Sequence, residues 1–355
     1  LGAADRVEYP YDVSRTAYLA LAMEMNGYGP EEAGAFFTSG KVRLEAVPGV
    51  QAVGMASRIP LSLNNNGFGV FIDGHQSSRT DRPYGLNGAR VDQGYFDALD
   101  LTILEGRGIL PEDREENRRV AVVTETMATR YWPGEPALGR QFRLSWDGEP
   151  YRIVGIVEDY RVDTPGEDSK AYLHLPLPTE GIYANYVVRA SIPAEPLVPT
   201  LERELRALDP ELVFLDTGSF QELADVRLFP IRAGAWLIGV FGGLALILAA
   251  VGLYGVINYS VSRRVRELGI RKALGAQRGS MVALVLGRGM SMVGVGFLAG
   301  AGLAVLAARA LSSVLYVSPF DPASFGVTLL VLGGTAFLAN FLPANRAAGV
   351  DPAVA

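Results

Sequence analysis

The sequence predicts an α/β extracytoplasmic domain, made of two small mixed α/β subdomains, followed by an all-α bundle of three transmembrane helices. Three observations carry this expectation. Residues 1–232 hold 23 Lys/Arg against 35 Asp/Glu, a net of −12, while residues 233–355 hold 9 against 3, a net of +6. Ala233 to Ile257 is a run of 25 residues without one charge, long enough as a helix to cross a hydrocarbon core of about 30 Å. Before that run, strand-like and helix-like patterns alternate along the chain.

In the acidic region, Val7 to Val13 reads as a strand. Gly29-Pro-Glu-Glu opens a helical pattern that runs to about Ala46, where Pro48-Gly49 stops it. Val50 to Ser57 reads as the next strand. Asn64-Asn-Asn-Gly67 marks a turn before the strand-like run Phe68 to Ile72. Tyr95 to Leu99 suggests a short helix. Val120 to Val123 has the composition of a buried strand, and Glu125 to Tyr131 that of a helix. Tyr151 to Val157 is the strongest strand pattern. Tyr186 to Val188 reads as an edge strand, and Leu197 to Leu208 as an amphipathic helix.

After Phe229-Pro230 the character changes. Spans are expected at about 233–257, 281–306 and 324–342, the last ended by Pro343. Between the first two lies Ser262-Arg-Arg-Val-Arg-Glu-Leu-Gly-Ile-Arg-Lys-Ala-Leu-Gly-Ala-Gln277. Counting on to Arg278, six Lys/Arg stand against one Glu, which assigns this segment to the cytoplasmic face. The nearly uncharged stretch Leu311 to Pro322 is then outside, and the tail with Arg346 inside. Glycines 239, 242, 243, 294, 296, 300 and 302 suit close helix packing, as in a dimer interface or as general membrane-helix composition. Arg288 is expected to snorkel to the interface. Asn258 and Asn340, near cytoplasmic span ends, are expected to cap helices or bond between them.

Several classes of function find no support. An acidic soluble part argues against nucleic acid, whose binding relies on Lys/Arg neutralising phosphates. No cysteine is present, which excludes disulfides, thiolate catalysis and zinc-thiolate sites. His75 and His174, without a second ligand at metal spacing, read as surface or turn histidines. Glu112-Asp-Arg-Glu-Glu116 reads as a solvated loop rather than an acid/base pair. Neither a Gly-x-Ser-x-Gly elbow nor a phosphate-binding Gly-x-x-x-x-Gly-Lys-Ser/Thr loop occurs. No catalytic residue, metal ligand or cofactor is therefore expected, and any ATP must be bound by another chain or domain.

The basic segment holds more than a topological anchor needs. Ile270, Ala273 and Leu274 form an apolar stripe at helical spacing, and Glu267 and Arg271 form an i,i+4 pair in the favourable order. Gly275 ends the helix. A short amphipathic helix of this kind suits docking into a groove on a cytoplasmic partner.

Arg266-Glu-Leu-Gly-Ile-Arg-Lys-Ala-Leu-Gly-Ala276 resembles the coupling-helix signature of the FtsX-like ABC permeases. Leu342-Pro-Ala-Asn-Arg-Ala-Ala-Gly-Val-Asp-Pro352 resembles that family's terminal segment, and Ser318-Pro-Phe-Asp-Pro322 its outer loop. Tyr95-Phe-Asp-Ala-Leu99, Leu104-Glu-Gly-Arg107, Trp132-Pro-Gly-Glu135, Leu138-Gly-Arg140 and Val154-Gly-Ile-Val157 resemble the MacB-like periplasmic core domain. The resemblance implies a multi-pass protein of the bacterial inner membrane with residues 1–232 outside the cytoplasm and a coupling helix at about 262–276. Members have four membrane helices, so a further helix is expected ahead of Leu1. The implied partners are an ABC ATPase subunit, a second permease in a homo- or heterodimer, the lipid bilayer, and a periplasmic or outer-membrane component. Arg266, Glu267, Gly269, Arg271, Lys272 and Gly275 would carry the ATPase contact. In it, Arg271 and Lys272 would pair with acidic groups, and the glycines would permit close approach. The alternative is a non-transporting signalling or scaffold protein that regulates an envelope partner. An extracytoplasmic enzyme is the weakest reading.

Overall fold

The computed structural model describes residues 9–62, 67–72, 83–162 and 170–263, and then 270, 279, 287, 291, 294–306, 326–328, 330–335, 337–338 and 341. The chain divides into two compact units, Leu1–Arg232 and Ala233–Ala355.

In the first unit, eleven strands join in one hydrogen-bonded network. They are β1 (Thr16–Ala22), β2 (Val50–Ala56), β3 (Gly67–Ile72), β4 (Tyr84–Val91), β5 (Ile103–Gly106), β6 (Val120–Thr124), β7 (Gln141–Leu144), β8 (Pro150–Val157), β9 (Tyr172–Pro176), β10 (Tyr183–Ala190) and β11 (Asp216–Ser219). The helices are α1 (Pro30–Glu45), α2 (Tyr95–Ala98), α3 (Pro111–Glu115), α4 (Glu125–Tyr131), α5 (Val198–Arg206) and α6 (Phe220–Ser262).

The strands fall into two groups, one nested inside the other. The outer group is an antiparallel sheet in the order β11-β1-β10-β2. With α1 between β1 and β2, and α5 between β10 and β11, it is a split βαβ arrangement. Register explains its core: Leu19 lies opposite Tyr186, and Tyr186 opposite Met55. All three are buried in one cluster with Phe36 and Phe37 of α1 and Leu201 and Leu205 of α5. The opposite face meets α2 closely at Gly54, where a Cβ would lie 2.5 Å from Cα of Tyr95. Only glycine fits there.

The inner group lies between β2 and β10 in the chain. Strands β4-β3-β7-β8-β6-β9 follow one another, and β9 pairs with β4 to close a ring. Closure leaves no free edge among these six strands. Two pairings, β4–β9 and β6–β8, are parallel. Every residue of β6 is buried, because the strand has an apolar cluster on each face. Val120 and Val122 pack with Tyr95, Val157 and Tyr172, while Ala121 and Val123 pack with Phe142, Ile153 and Leu173. This is the near-continuous apolar pattern of a strand covered on both sides. Among the described residues the two groups pair at Ala56 and Val91, flanked by bonds from Ser57 N–H to the Arg90 carbonyl and from Asp92 N–H to the Met55 carbonyl, and share the cluster that contains Tyr18, Val187, Val91 and Val157. The two expected subdomains are thus neither consecutive nor separate.

Three local expectations need correction. The first strand among the described residues is Thr16–Ala22, and residues 9–13 of the expected strand Val7 to Val13 are not in a sheet. Asp12 Oδ1 instead accepts from the N–H of Ser14 (3.0 Å) and from its hydroxyl (2.6 Å), fixing a turn. Tyr186 to Val188 is no edge, since β10 is paired on both sides by β1 and β2. Glu112 to Glu116 lies in and just after helix α3 rather than in a loop, and Asp113 is buried.

In the second unit, α6 continues to Ser262. It begins ten residues before Pro230 and passes through it. The stretch Phe220–Val256 is long and apolar enough to cross a membrane. Shorter apolar helices at Gly294–Leu306 and Gly326–Thr335 fall within the second and third expected spans. Among the described residues this is the only helix long enough, and no three-helix bundle is described.

Candidate functional site

The root of α6 joins a polar cap to a buried apolar stripe. Ser219 and Glu222 form a reciprocal cap. The N–H of Ser219 donates to Glu222 Oε2 (2.9 Å), and the N–H of Glu222 to Ser219 Oγ (3.3 Å). Such a pair satisfies donors that a helix start leaves open. Phe220, Ala224 and Leu228 recur every four residues and are all buried. The Phe220 ring meets Tyr11 edge-on at 5.7 Å and lies 6.2 Å from Tyr18. Tyr18 donates to Asp216 Oδ2 (2.8 Å). Burial first, then that carboxylate, raises the Tyr18 pKa far above its ordinary value. On the flank of the helix, Arg227 Nε donates to the carbonyl of Leu61 (2.9 Å), and its Nη2 to that of Ser62. Arg232 pairs with Asp225 at 2.9 Å.

The residues singled out in the sequence for ATPase contact, Arg266, Glu267, Gly269, Arg271, Lys272 and Gly275, lie outside the described residues. Just before them, Arg263 stacks over the Tyr259 ring, its guanidinium carbon 5.3 Å from the centroid. Within the segment, Ile270 is helical and exposed. Asn258 is exposed on α6, while His75, Arg288 and Asn340 are outside the described residues.

His174 is neither at the surface nor in a turn. It sits in β9, fully buried, with Tyr95, Phe96, Tyr160 and Tyr172 around its ring. Its position in β9 alternates with Leu173 and Leu175, so it points away from the ring core, toward α2. Nδ1 lies 3.1 Å from the carbonyl of Val122 and therefore carries the proton; Nε2 then accepts from the Tyr160 hydroxyl (2.7 Å). Burial holds the imidazole neutral, with a pKa of about 3. A histidine bonded at both nitrogens in this way is a fastener, not a ligand or base.

Two buried carboxylates are fasteners too. Asp113 takes a two-pronged contact from Arg107 (2.5 and 3.1 Å) and the N–H of Leu110 (2.9 Å). Burial alone would raise its pKa, but these partners and Arg118 prevail and hold it below the ordinary value. Asp92 accepts from Lys41 Nζ (2.5 Å) and from the N–H groups of Met55 and Gly94 (2.8 and 3.1 Å). It thereby ties α1, β2 and the start of α2 together. Among the described residues no group of His, Cys, Asp and Glu could hold a metal ion.

Sequence reasoning passed over the α6 root. Its signal was present: Ser219-Phe-Gln-Glu222 is a capping pattern directly ahead of apolar residues at helical spacing.

Comparison with known proteins fits this division of the chain. Residues 11–207 match the MacB-like periplasmic core domain, and residues 239–352 the FtsX-like permease C-terminal domain. The chain is 25% identical over 274 residues to the uncharacterized ABC transporter permease YknZ of Bacillus subtilis, covering 74% of this chain and 67% of that one. It is 23% identical over 351 residues to YvrN of the same organism, covering 91% and 82%. Against the macrolide export ATP-binding/permease protein MacB of Rhodospirillum rubrum it is 27% identical over 271 residues, 74% of this chain but only 41% of that protein. The periplasmic region of MacB from Actinobacillus actinomycetemcomitans is 14% identical, with a TM-score of 0.42, covering 61% of this chain and 94% of that one. The chain belongs to the ABC transporter permeases that combine a MacB-like periplasmic core domain with an FtsX-like permease domain.

Proposed function

We propose that this chain is the permease subunit of an ABC transporter, one that turns ATP hydrolysis by a cytoplasmic ATPase into movement of its extracytoplasmic domain. The cargo is hydrophobic or peptidic and is exported or extracted at the bacterial inner membrane, which the chain crosses several times. Relatives named as export ATP-binding/permease proteins support transport over the scaffold reading. One observation carries the proposal. Helix α6 is rooted by a buried stripe and a cap at Phe220 and is continuous to Ser262, where the basic segment begins. A single helix from a domain core to a docking segment is a stiff element, and stiff elements carry displacement.

On this reading Arg271 and Lys272 pair with acidic groups of the ATPase, and Arg266 and Glu267 support the helix. Gly269 and Gly275 let the backbones approach. The test is purification of the full-length protein from its native membrane, with bound ATPase and ATP turnover as readouts. Arg271→Glu should release the ATPase yet still insert, because the segment keeps a net positive charge. An ATPase that remains bound at wild-type level in this variant would refute the assignment.

A further inference from the structure

Leu61 is a bulky residue in the left-handed region of backbone space, at φ 63, and its side chain is 1% exposed. A non-glycine residue stays there only when its surroundings hold it. Three bonds do so. Its N–H donates to the carbonyl of Val162 (2.7 Å), just past β8 in the inner group of strands. Arg227 of α6 donates to its carbonyl and to that of Ser62. The segment Ser57 to Ser62 is the exit from β2, through which the chain leaves the outer sheet for the inner ring. It also borders a cavity of 560 Å³ lined by Ile59, Leu61, Ser62, Leu223, Val226 and Arg227, among others. The exit segment therefore lies beside open space, while Leu61 itself stays packed.

We infer that Arg227 is a latch: its guanidinium holds the exit segment in the strained form, and so fixes the inner ring of strands relative to the root of α6. The fork suits the task, since two neighbouring carbonyls are gripped by one planar group, which a lysine ammonium cannot reproduce. Movement of α6 is then felt first at Leu61 and Ser62. This function as a relay rests on the coupling reading above, but the latch itself is a property of the extracytoplasmic domain.

The full-length chain in nanodiscs, without nucleotide, provides the test. Residues 1–355 hold no cysteine, so Ala207→Cys on the outer group and Gln141→Cys on the inner group, both exposed, give one spin-label pair. Arg227→Ala should broaden the distance distribution and speed amide exchange in 57–62 by roughly tenfold, the opening expected when two hydrogen bonds are lost. Arg227→Lys should restore part of both effects. Leu61→Gly, which adopts positive φ without strain, should keep the narrow distribution while Arg227 is present. If Arg227→Ala lowers the melting temperature but leaves width and local exchange as in the wild type, the residue is merely structural and the latch is refuted. A latch that passes while no ATPase binds the protein would sink the coupling reading alone. A latch that fails while Arg271→Glu releases the ATPase would leave coupling intact without Arg227.

Discussion

Between Phe220 and Leu228, α6 buries every fourth residue and turns Gln221, Glu222 and Val226 outward. From Trp236 to Val256 the same helix is apolar on all sides, with Ile238 75% and Leu248 72% exposed. The first pattern answers to a core on one side and water on the other, the second to an apolar solvent all around. One helix thus records two surroundings in its periodicity. The boundary is not a break in the backbone, since Pro230 is accommodated within the helix.

The two stretches of α6 differ most at Phe220. Phe220→Ala should destabilise the extracytoplasmic domain by about 3–5 kcal/mol, as deletion of a buried ring does. Ile238→Ala should leave unfolding of that domain unchanged. Urea unfolding followed by the fluorescence of Trp132 and Trp146 reads both, and equal losses would show that the two stretches do not differ. The cluster that holds Phe220 also borders His174, which sharpens the contrast with a span that admits no charge. The native imidazole stays neutral down to about pH 3, while the unfolded chain takes up the proton below its ordinary value near 6.5. Stability is therefore full above pH 6.5 and falls by about 1.4 kcal/mol per pH unit as pH drops toward 3. His174→Gln should flatten that part of the profile; an unaltered slope would mean other groups set it. The smallest effect is expected at the cap, where Glu222→Ala should cost about 1 kcal/mol and leave the spans unaffected.

The continuous apolar run of β6 and the strand-forming, β-branched run of β8 were legible in the sequence, as was α1 with its proline start and α4. What escaped had a physical reason. Gly85 and Gly88 interrupt the pattern of β4, yet Gly88 is required there: a Cβ would lie 2.6 Å from the Leu173 carbonyl on β9. In β9 a histidine stands where a hydrophobe would have announced a strand, and its two bonds, to Val122 and Tyr160, come from distant parts of the chain. The nesting was invisible because Asn185 bonds the carbonyl of Ala56 across 129 residues, and no local pattern encodes such a pairing. For the docking segment the situation is reversed. Its motif was the most specific in the sequence, while Arg271 and Lys272 lie outside the described residues.

The pairing of β1 with β11 has a consequence for synthesis. Thr217 lies opposite Leu19, so the first strand waits for nearly the whole domain to emerge before its outer edge is covered. Pairings of such long separation form late. The last aromatic group to enter the core, Phe220, arrives next in the chain, and the uncharged run that begins at Ala233 follows within about a dozen residues. Completion of the domain and delivery of the first span are thus nearly simultaneous, and a delay in either exposes the apolar surface of both.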